Sequence, residues 1–320
     1  MDRKIGAHGL MDRKIGAHGL DFIGQECKGE ETTINVEKGA NRYVSGAVNP
    51  KAATGYKKRV TFHYDDGSVY EGEFMDNKKH GKGVYRNING NLYIGEFKDD
   101  LKHGRGVYQY AEGDIYDGEY KNDKRNGDGE YRWSDKAVYT GQFSEGKRHG
   151  KGVYKRPDGS IFEGEFKNNK INGRGVYRFS NGNMYDGEFY DEKKHGRGVY
   201  RWSDGNVYDG EFKDDQIDGF GKHRWEDGSE YEGGHRNGKI HGKGIFRYSD
   251  GKRQFHGEFQ NEMRHGYGVY QYDNGSVYEG EWRNDVKHGR GVQRRSDGSI
   301  YHSGYWDSGE RADDATCVLM

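Results

Sequence analysis

Histidine is the side chain whose spacing in this chain first suggests chemistry. Seven of the 14 histidines recur at one position of a repeated pattern: His80, His103, His149, His195, His241, His265 and His288. A zinc ion would need its ligands at about 2 Å. If each histidine lies on its own β-hairpin, equivalent side chains are about 9.6 Å apart, because each hairpin adds two strands. We therefore expect neither a metal site nor a bound cofactor, and predict that these histidines stabilise turns or pack partly.

Acidic and basic residues recur with the same period, and alternation along a strand places both rows on one outer face. The acidic row is Glu73, Glu96, Glu119, Glu165, Glu188, Glu211, Glu258 and Glu281, and the basic row is Lys82, Arg105, Lys151, Arg174, Arg197, Lys243 and Arg290. One interpretation is cross-strand ion pairing, worth roughly a few tenths of a kcal/mol per pair. The other is contact with anionic phospholipid head groups, for which the seven basic residues are the candidates.

The last four residues suggest a covalent modification. Cys317 is followed by two aliphatic residues and a terminal Met320, which is the pattern of a prenylation (CaaX) box, and the methionine favours farnesyl. The preceding residues 311–316 are not polybasic, so the usual electrostatic second signal is missing. One lipid chain anchors a protein only marginally. Stable attachment would need oligomerisation, acylation at Cys27 or membrane contact by the rest of the chain; the alternative is a chance terminus.

Other chemistry receives little support from the sequence. Gly-x-Gly pairs are frequent, but there is no dinucleotide fingerprint, Walker sequence or nucleophile elbow. The 52 basic and 53 acidic residues give a net charge of -1, so no overall field attracts nucleic acid. Two distant cysteines are typical of a reduced intracellular protein. We predict a protein that is not an enzyme and does not bind nucleic acid.

A fixed period indicates the elements that must carry these side chains. An aromatic residue opens a Tyr-x-Gly-Glu-Phe-like pattern eleven times: Tyr70, Tyr93, Tyr116, Tyr139, Phe162, Tyr185, Tyr208, Tyr231, Phe255, Tyr278 and Tyr301. The interval is 23 residues except between Tyr231 and Phe255, where it is 24. A period of this size is the signature of small stacked units.

One unit can be interpreted as a β-hairpin. Alternation places Tyr70, Gly72 and Phe74 on one face, and a second strand follows the polar stretch from Met75 to His80. Asn-Gly and Asp-Gly pairs, such as Asn89-Gly90, predict the next turn. The glycines that share the tyrosine face leave bare backbone on which aromatic rings can lie. We predict an all-β fold: an elongated, twisted antiparallel sheet of stacked β-hairpins, about 100 Å long for ten units.

Composition agrees with an aromatic rather than an aliphatic core. The 320 residues include 26 Tyr, 14 Phe and 5 Trp, whereas leucine is rare and the 54 glycines argue against helices. We divide the chain into a poorly ordered segment 1–59, a repeat array 60–306 with partial caps, and a flexible tail 307–320. The first segment repeats the decapeptide MDRKIGAHGL at residues 1–10 and 11–20. Residues 60–62 are expected to pair as a capping strand.

The repeated unit resembles the MORN repeat (membrane occupation and recognition nexus). Tyr185-Asp186-Gly187-Glu188-Phe189, followed by His195-Gly196-Arg197-Gly198-Val199-Tyr200, is one near-perfect copy, and the resemblance covers about three-quarters of the chain. Asn126, Asn172 and Asp218 replace the histidine in three units, and Gly234-His235 replaces Glu-Phe in another. The resemblance implies a curved sheet that acts as a scaffold between membrane and cytoskeleton, or as an adaptor for protein partners.

Three functions remain open at this point. The first is a non-enzymatic, membrane-tethered scaffold in the cytoplasm, attached peripherally through prenylated Cys317. The second is a ciliary or cytoskeletal adaptor, and the third is a regulatory partner of a phosphoinositide kinase or a lysine methyltransferase. Self-association is a further expectation drawn from the resemblance. Four tryptophans lie where the repeat does not require them and are candidate partner contacts: Trp133, Trp202, Trp225 and Trp282.

Overall fold

The computed structural model describes residues 58–312, and every regular element in this range is a β-strand. None of these residues forms a helix that could cross a membrane. The duplicated decapeptide and both cysteines lie outside the described residues. The strands are β1 (Lys58–His63), β2 (Val69–Met75), β3 (Lys78–Arg86), β4 (Leu92–Lys98), β5 (Leu101–Gln109), β6 (Ile115–Lys121), β7 (Lys124–Arg132), β8 (Val138–Ser144), β9 (Lys147–Lys155), β10 (Ile161–Lys167), β11 (Lys170–Arg178), β12 (Met184–Tyr190), β13 (Lys193–Arg201), β14 (Val207–Lys213), β15 (Gln216–Arg224), β16 (Glu230–Arg236), β17 (Lys239–Arg247), β18 (Gln254–Gln260), β19 (Met263–Gln271), β20 (Val277–Arg283), β21 (Val286–Arg294), β22 (Ile300–Asp307) and β23 (Glu310–Ala312).

The described chain divides into two units. The first ends at Ser134 and contains β1 to β7, and the second begins at Asp135 and contains β8 to β23. Within each unit, every strand pairs antiparallel with the next strand along the chain. The predicted fold class, all-β with stacked antiparallel hairpins, is confirmed.

Two kinds of turn join the strands. Within a hairpin the turn has only two residues, such as Asp76 and Asn77, whose φ angles are 50° and 62°. Two successive positive φ values define a type I′ turn, whose twist matches that of the strands. The predicted loop from Met75 to His80 is therefore too long, because β2 includes Met75 and β3 begins at Lys78. Between hairpins the turn is longer, as in residues 87–91, and Gly90 N donates to the Asn87 carbonyl at 3.1 Å.

The core of each hairpin is one ring lying on two glycines. Tyr70 has no exposed surface, and a Cβ atom added to Gly83 would lie 2.4 Å from the Tyr70 hydroxyl oxygen. That hydroxyl donates to the Glu73 carbonyl at 3.0 Å. The ring also makes edge contacts with Phe74 of its own hairpin and Phe97 of the next, at centroid distances of 5.2 and 5.1 Å. The predicted role of the glycines, space for a ring over backbone, is confirmed.

Both ends of the array carry partial hairpins. Strand β1 pairs with β2 and places Phe62 opposite Tyr70. At the other end, a bulge in β22 places His302 opposite Gln293, the position that the aromatic ring takes in the other repeats, and the His302 ring packs 5.1 Å from that of Trp306. Tyr301, predicted to open an eleventh repeat, is therefore out of register and 43% exposed. The tail was predicted to begin at residue 307, but Asp307 belongs to β22, and the short strand β23 pairs back along it with Asp307 opposite Glu310. The sheet therefore continues to Ala312.

Candidate functional site

One face of the sheet bears Tyr70 and its equivalents, and we call it the aromatic face. On this face, each hairpin has a position at which a cation can lie over several rings. In the first hairpin the Lys79 ammonium is 4.8 Å from the ring centre of Tyr85, 5.6 Å from that of Phe97 and 5.7 Å from that of Tyr64. These distances are within the range of cation–π attraction. We call this position the cation seat.

An aspartate in the turn of the following hairpin contacts the cation in the seat. Lys102 Nζ is 3.4 Å from Asp123 Oδ1, which also accepts the backbone N–H of Lys102 at 2.9 Å. Lys194 and Asp215 repeat both contacts, at 3.5 and 2.9 Å. Burial lowers the pKa of Lys79, and the opposing charge of the nearby Asp100 limits that shift. A seated cation is thus held between aromatic rings and an acidic turn.

Seven of the ten hairpins between β2 and β21 place a lysine or arginine in the seat: Lys79, Lys102, Arg125, Arg148, Lys194, Arg264 and Lys287. In an eighth hairpin Ile171 takes the position, and Arg156 of the preceding turn lies 5.4 Å from the Tyr177 ring instead. This row was not predicted from the sequence. Its signal is a basic residue directly before the recurring histidine, within the stretch 75–80 predicted to join the two strands.

The other two seats, at Ile217 and Ile240, adjoin a continuous stack of rings. We call Trp202, His223, Trp225 and Phe246 the aromatic strip. The ring centre of His223 is 5.3 Å from that of Trp202 and 4.2 Å from that of Trp225, and all three rings are nearly parallel. Burial lowers the pKa of His223, which favours an uncharged imidazole near pH 7. Within residues 58–312, no lysine or arginine lies over the tryptophan or phenylalanine rings of the strip.

A shallow groove of about 400 Å³ adjoins the aromatic strip. It is lined by Asn206, Trp225, Glu226, Asp227, Ser229 and Phe246. Asp227 Oδ1 accepts the Ser229 backbone N–H at 2.8 Å. The side chains of Glu226 and Asp227 are both exposed. Neither forms an ion pair with a residue that the structure describes. The groove therefore combines an aromatic floor with a negatively charged rim.

The four tryptophans predicted as partner contacts do not form one group. Trp133, Trp202 and Trp225 share one repeat position, the first residue of the turn between hairpins, and each is partly exposed. Trp282 instead occupies the core position of Phe74 and is 5% exposed. Its indole N–H donates to the Gly268 carbonyl at 3.3 Å. This burial contradicts the partner contact predicted for Trp282. The pattern Tyr-x-Gly-Glu-Trp places this tryptophan in the core.

The seven basic residues predicted as lipid contacts are all exposed. The register sets six of them opposite a glutamate, as with Lys82 and Glu96, whereas Arg290 lies opposite Tyr305 and donates to its hydroxyl at 2.8 Å. Among the described residues, five of the row form no ion pair: Arg105, Lys151, Arg174, Arg197 and Lys243. Cross-strand ion pairing, the first interpretation, does not hold for these five.

Glutamates of the acidic row accept hydrogen bonds from backbone N–H groups instead. Glu96 Oε1 accepts the backbone N–H of Arg105 at 3.3 Å, and Glu281 Oε1 accepts that of Arg290 at 3.1 Å. In hairpin β4–β5 a bulge lies at this point, where residues 103–105 of β5 face the single residue Glu96 of β4. Gly104 adopts a φ of 60° in the bulge of β5. The carboxylate therefore satisfies a donor that the bulge leaves without a ladder partner.

The recurring histidines lie in the same bulges. His195 Nδ1 is 4.0 Å from Asp214 Oδ1, and His288 Nδ1 is 3.9 Å from Asp307 Oδ1, in each case at the turn of the next hairpin. Among residues 58–312, no three histidine, cysteine, aspartate or glutamate side chains are grouped as a metal site.

The fold and the rows of rings and cations define a protein built from stacked β-hairpin repeats. The family model of the MORN repeat matches ten segments: 70–92, 93–115, 116–138, 139–161, 162–184, 185–207, 208–230, 231–253, 255–277 and 278–300. The chain therefore belongs to the MORN-repeat family. This membership indicates a repeat-based scaffold that binds proteins.

Several solved structures show similarity at low identity. The TCP10 domain of Danio rerio CPAP, in complex with a peptide of STIL, is 12% identical; the match covers 78% of this chain and 100% of that one, with a TM-score of 0.36. The SAS-4 TCP domain of Drosophila melanogaster, in complex with a proline-rich motif of Ana2, is 16% identical, with 59% and 96% covered and a TM-score of 0.31. No curated protein matches this chain.

Proposed function

We propose that this protein is a non-enzymatic scaffold, tethered to the cytoplasmic side of a membrane, that docks a protein partner on its aromatic strip. The observation that supports docking is the strip itself. Trp202 and Trp225 are partly exposed, no lysine or arginine of residues 58–312 lies over their rings, and a groove adjoins the strip. Partly exposed tryptophans beside a groove are typical of interface anchors.

The proposed tether is a farnesyl group on Cys317, which lies outside the described residues. A single lipid chain binds a membrane reversibly, so a second contribution is needed. The exposed basic row could provide it by contact with anionic phospholipid. The five members that form no ion pair within residues 58–312 support this role, because their charged groups are exposed and not bound to a carboxylate of that range.

Fractionation tests the tether. Wild-type protein is expected in the membrane fraction and Cys317→Ser largely in the cytosol. A double change of two basic residues, Arg174→Glu with Arg197→Glu, should weaken membrane attachment while Cys317 remains intact. Intact-mass measurement of protein from its native host checks the chemistry, and an unmodified Cys317 still followed by Val318-Leu319-Met320 would contradict the tether.

Partner capture tests docking. Trp202→Ala with Trp225→Ala should reduce the capture of cellular partners, whereas Phe179→Ala, at the equivalent position of a hairpin with a seated Lys194, should not. Capture that is unchanged in the double variant would overturn the docking role. If Cys317→Ser leaves a cytoskeletal location unchanged, the adaptor function is favoured instead. A lipid kinase or lysine methyltransferase recovered in stoichiometric amounts would favour the regulatory function.

A further inference from the structure

The lysines of this chain show how a cation lies on the aromatic face. In hairpin β12–β13, the Lys194 ammonium lies 5.4 Å from the Tyr200 ring centre and 5.9 Å from that of Phe179. In hairpins β14–β15 and β16–β17, isoleucine takes the lysine position and supplies no charge. The rings remain, with Trp225 and Phe246 5.4 Å apart beside Ile240. These two adjacent seats retain their aromatic surface without a cation from the described chain.

The charges around the two seats are complementary to a cation. Glu226 and Asp227 line the groove beside Trp225 and form no ion pair within residues 58–312. The nearest basic side chains of β15, Lys222 and Arg224, alternate with His223 and so point to the opposite face. Both of them pair there with Glu230 at 2.8 Å. Arg253, at the far end, is already bound to Asp250 and lies over the Tyr248 ring.

The spacing of the seats restricts the conformation of a ligand that fills both. Successive hairpins are about 9.6 Å apart, since each adds two strands. In a polyproline II helix, residues three apart point the same way and are about 9.3 Å apart. Same-side residues of a β-strand are separated by about 6.6 or 13 Å instead. The polyproline II repeat therefore matches the hairpin repeat, and a β-strand does not.

We propose that the aromatic strip binds a partner segment in the polyproline II conformation, in which arginine or lysine at every third residue occupies the seats beside Ile217 and Ile240. This inference rests on the proposed docking function and specifies its partner. The cations would lie over the rings as Lys194 does, with Glu226 and Asp227 in place of Asp215. Residues between the cations would lie on the exposed faces of Trp202 and Trp225.

Fluorescence anisotropy with the full chain tests the spacing. The probe is a labelled peptide Arg-Pro-Pro-Arg-Pro-Pro-Arg, and the control Arg-Arg-Arg-Pro-Pro-Pro-Pro has the same composition and charge. The spaced peptide is expected to bind at least about fivefold more tightly. Equal binding would reduce the attraction to general electrostatics and overturn the proposal, and so would equal binding of a peptide with leucine in place of each arginine.

Variants of the seats provide the second test. Ile240→Lys places an internal cation in the seat and should weaken peptide binding at least about fivefold. Glu262 occupies the turn position next to residue 240, as Asp285 does next to Arg264. Trp225→Ala should do the same, and Phe179→Ala should have no effect. If Ile240→Lys does not fold by circular dichroism, Glu226→Gln with Asp227→Asn tests the rim.

The outcomes separate this inference from the proposed function. Peptide binding that is the same in wild type, Ile240→Lys and Trp225→Ala would overturn the inference. If cellular partners are nevertheless lost in the Trp202 and Trp225 double variant, the docking surface stands and its partner has a different chemistry.

Discussion

Hairpins β12–β13 and β16–β17 share one backbone and differ in the side chains it carries. Both have a glycine pair in register, Gly187 opposite Gly198 and Gly233 opposite Gly244. Above each pair lies the aromatic ring that opens the repeat, which we call the opener and which has no exposed surface. The first hairpin has the regular Phe189 in its core. The second has His235 there, 6% exposed, between the rings of Tyr208 and Tyr231 at 5.0 and 5.2 Å.

Other differences concentrate in the same hairpin. Gly234 replaces the glutamate, so the bulge at Gly242 has no carboxylate beside it. Ile240 replaces the seated cation. The turn that follows contains the extra residue of the 24-residue interval, and Asp250 Oδ1 accepts the backbone N–H groups of both Lys252 and Arg253 at 2.9 Å. Both hairpins therefore keep the buried opening ring and its glycine pair, and the hairpin that differs at the remaining positions is the one beside the proposed docking surface.

The largest expected effect tests whether the opener alone carries this backbone. Tyr185→Ala and Tyr231→Ala should each cost about 3 kcal/mol or more of local stability, because both remove a fully buried ring. Asp186→Ala, on the opposite face, should cost less than about 0.5 kcal/mol. Hydrogen exchange of amides in the affected hairpin measures each value. A much smaller loss for Tyr231→Ala would mean that the irregular hairpin depends on other contacts.

The next effect concerns the histidine in the irregular core. Burial lowers the pKa of His235 from 6.5 to about 4, and the charge of His223 adds to this shift. Neither ring nitrogen makes a well-formed hydrogen bond within residues 58–312. Because the folded pKa is depressed, the unfolded state takes up more protons between these pH values. The stability contributed by neutral His235 is complete above pH 6.5 and decreases as the pH falls towards 4.

His235→Phe should remove this dependence. Relative to wild type, the variant should gain about 2 kcal/mol more at pH 5 than at pH 8. Urea unfolding at the two pH values measures the difference, with Phe189→His as the reciprocal change in the regular hairpin. A gain that is equal at both pH values would show that His235 does not titrate with folding.

The sequence was sufficient for the repeat, the hairpin and its two faces. Alternation in residues 70–74 identifies the buried face, and the glycines that share it predict rings over backbone, as Tyr70 over Gly83 shows. This succeeds because a regular strand has a strict period of two. The position of Trp282, directly after Gly-Glu in the repeat, also indicates the core, and its unusual residue type does not change this.

The site was less predictable, because it depends on the bulge and on the turn. A loop over residues 75–80 predicts no face of the sheet for Lys79, whereas β3 begins at Lys78 and places Lys79 over the rings. The bulge sets three residues of β3 against Glu73, and no period of two describes that geometry. Whether a glutamate accepts a backbone N–H or pairs with an arginine depends on side-chain direction, which spacing does not determine.

The smallest effect is expected when the cation is removed from a regular seat. Lys194→Ile removes the cation from the rings of Tyr200 and Phe179 and its contact with Asp215, and should cost about 0.5–1 kcal/mol. The backbone N–H of residue 194 still donates to Asp215, so the turn should remain in place. Thermal unfolding measures the cost, and Lys193→Ile, at an exposed neighbouring position, is the control. A loss above about 2 kcal/mol would mean that the seated cation maintains the hairpin itself, and the cation-free hairpins would then need a compensating contact that Ile217 and Ile240 must supply.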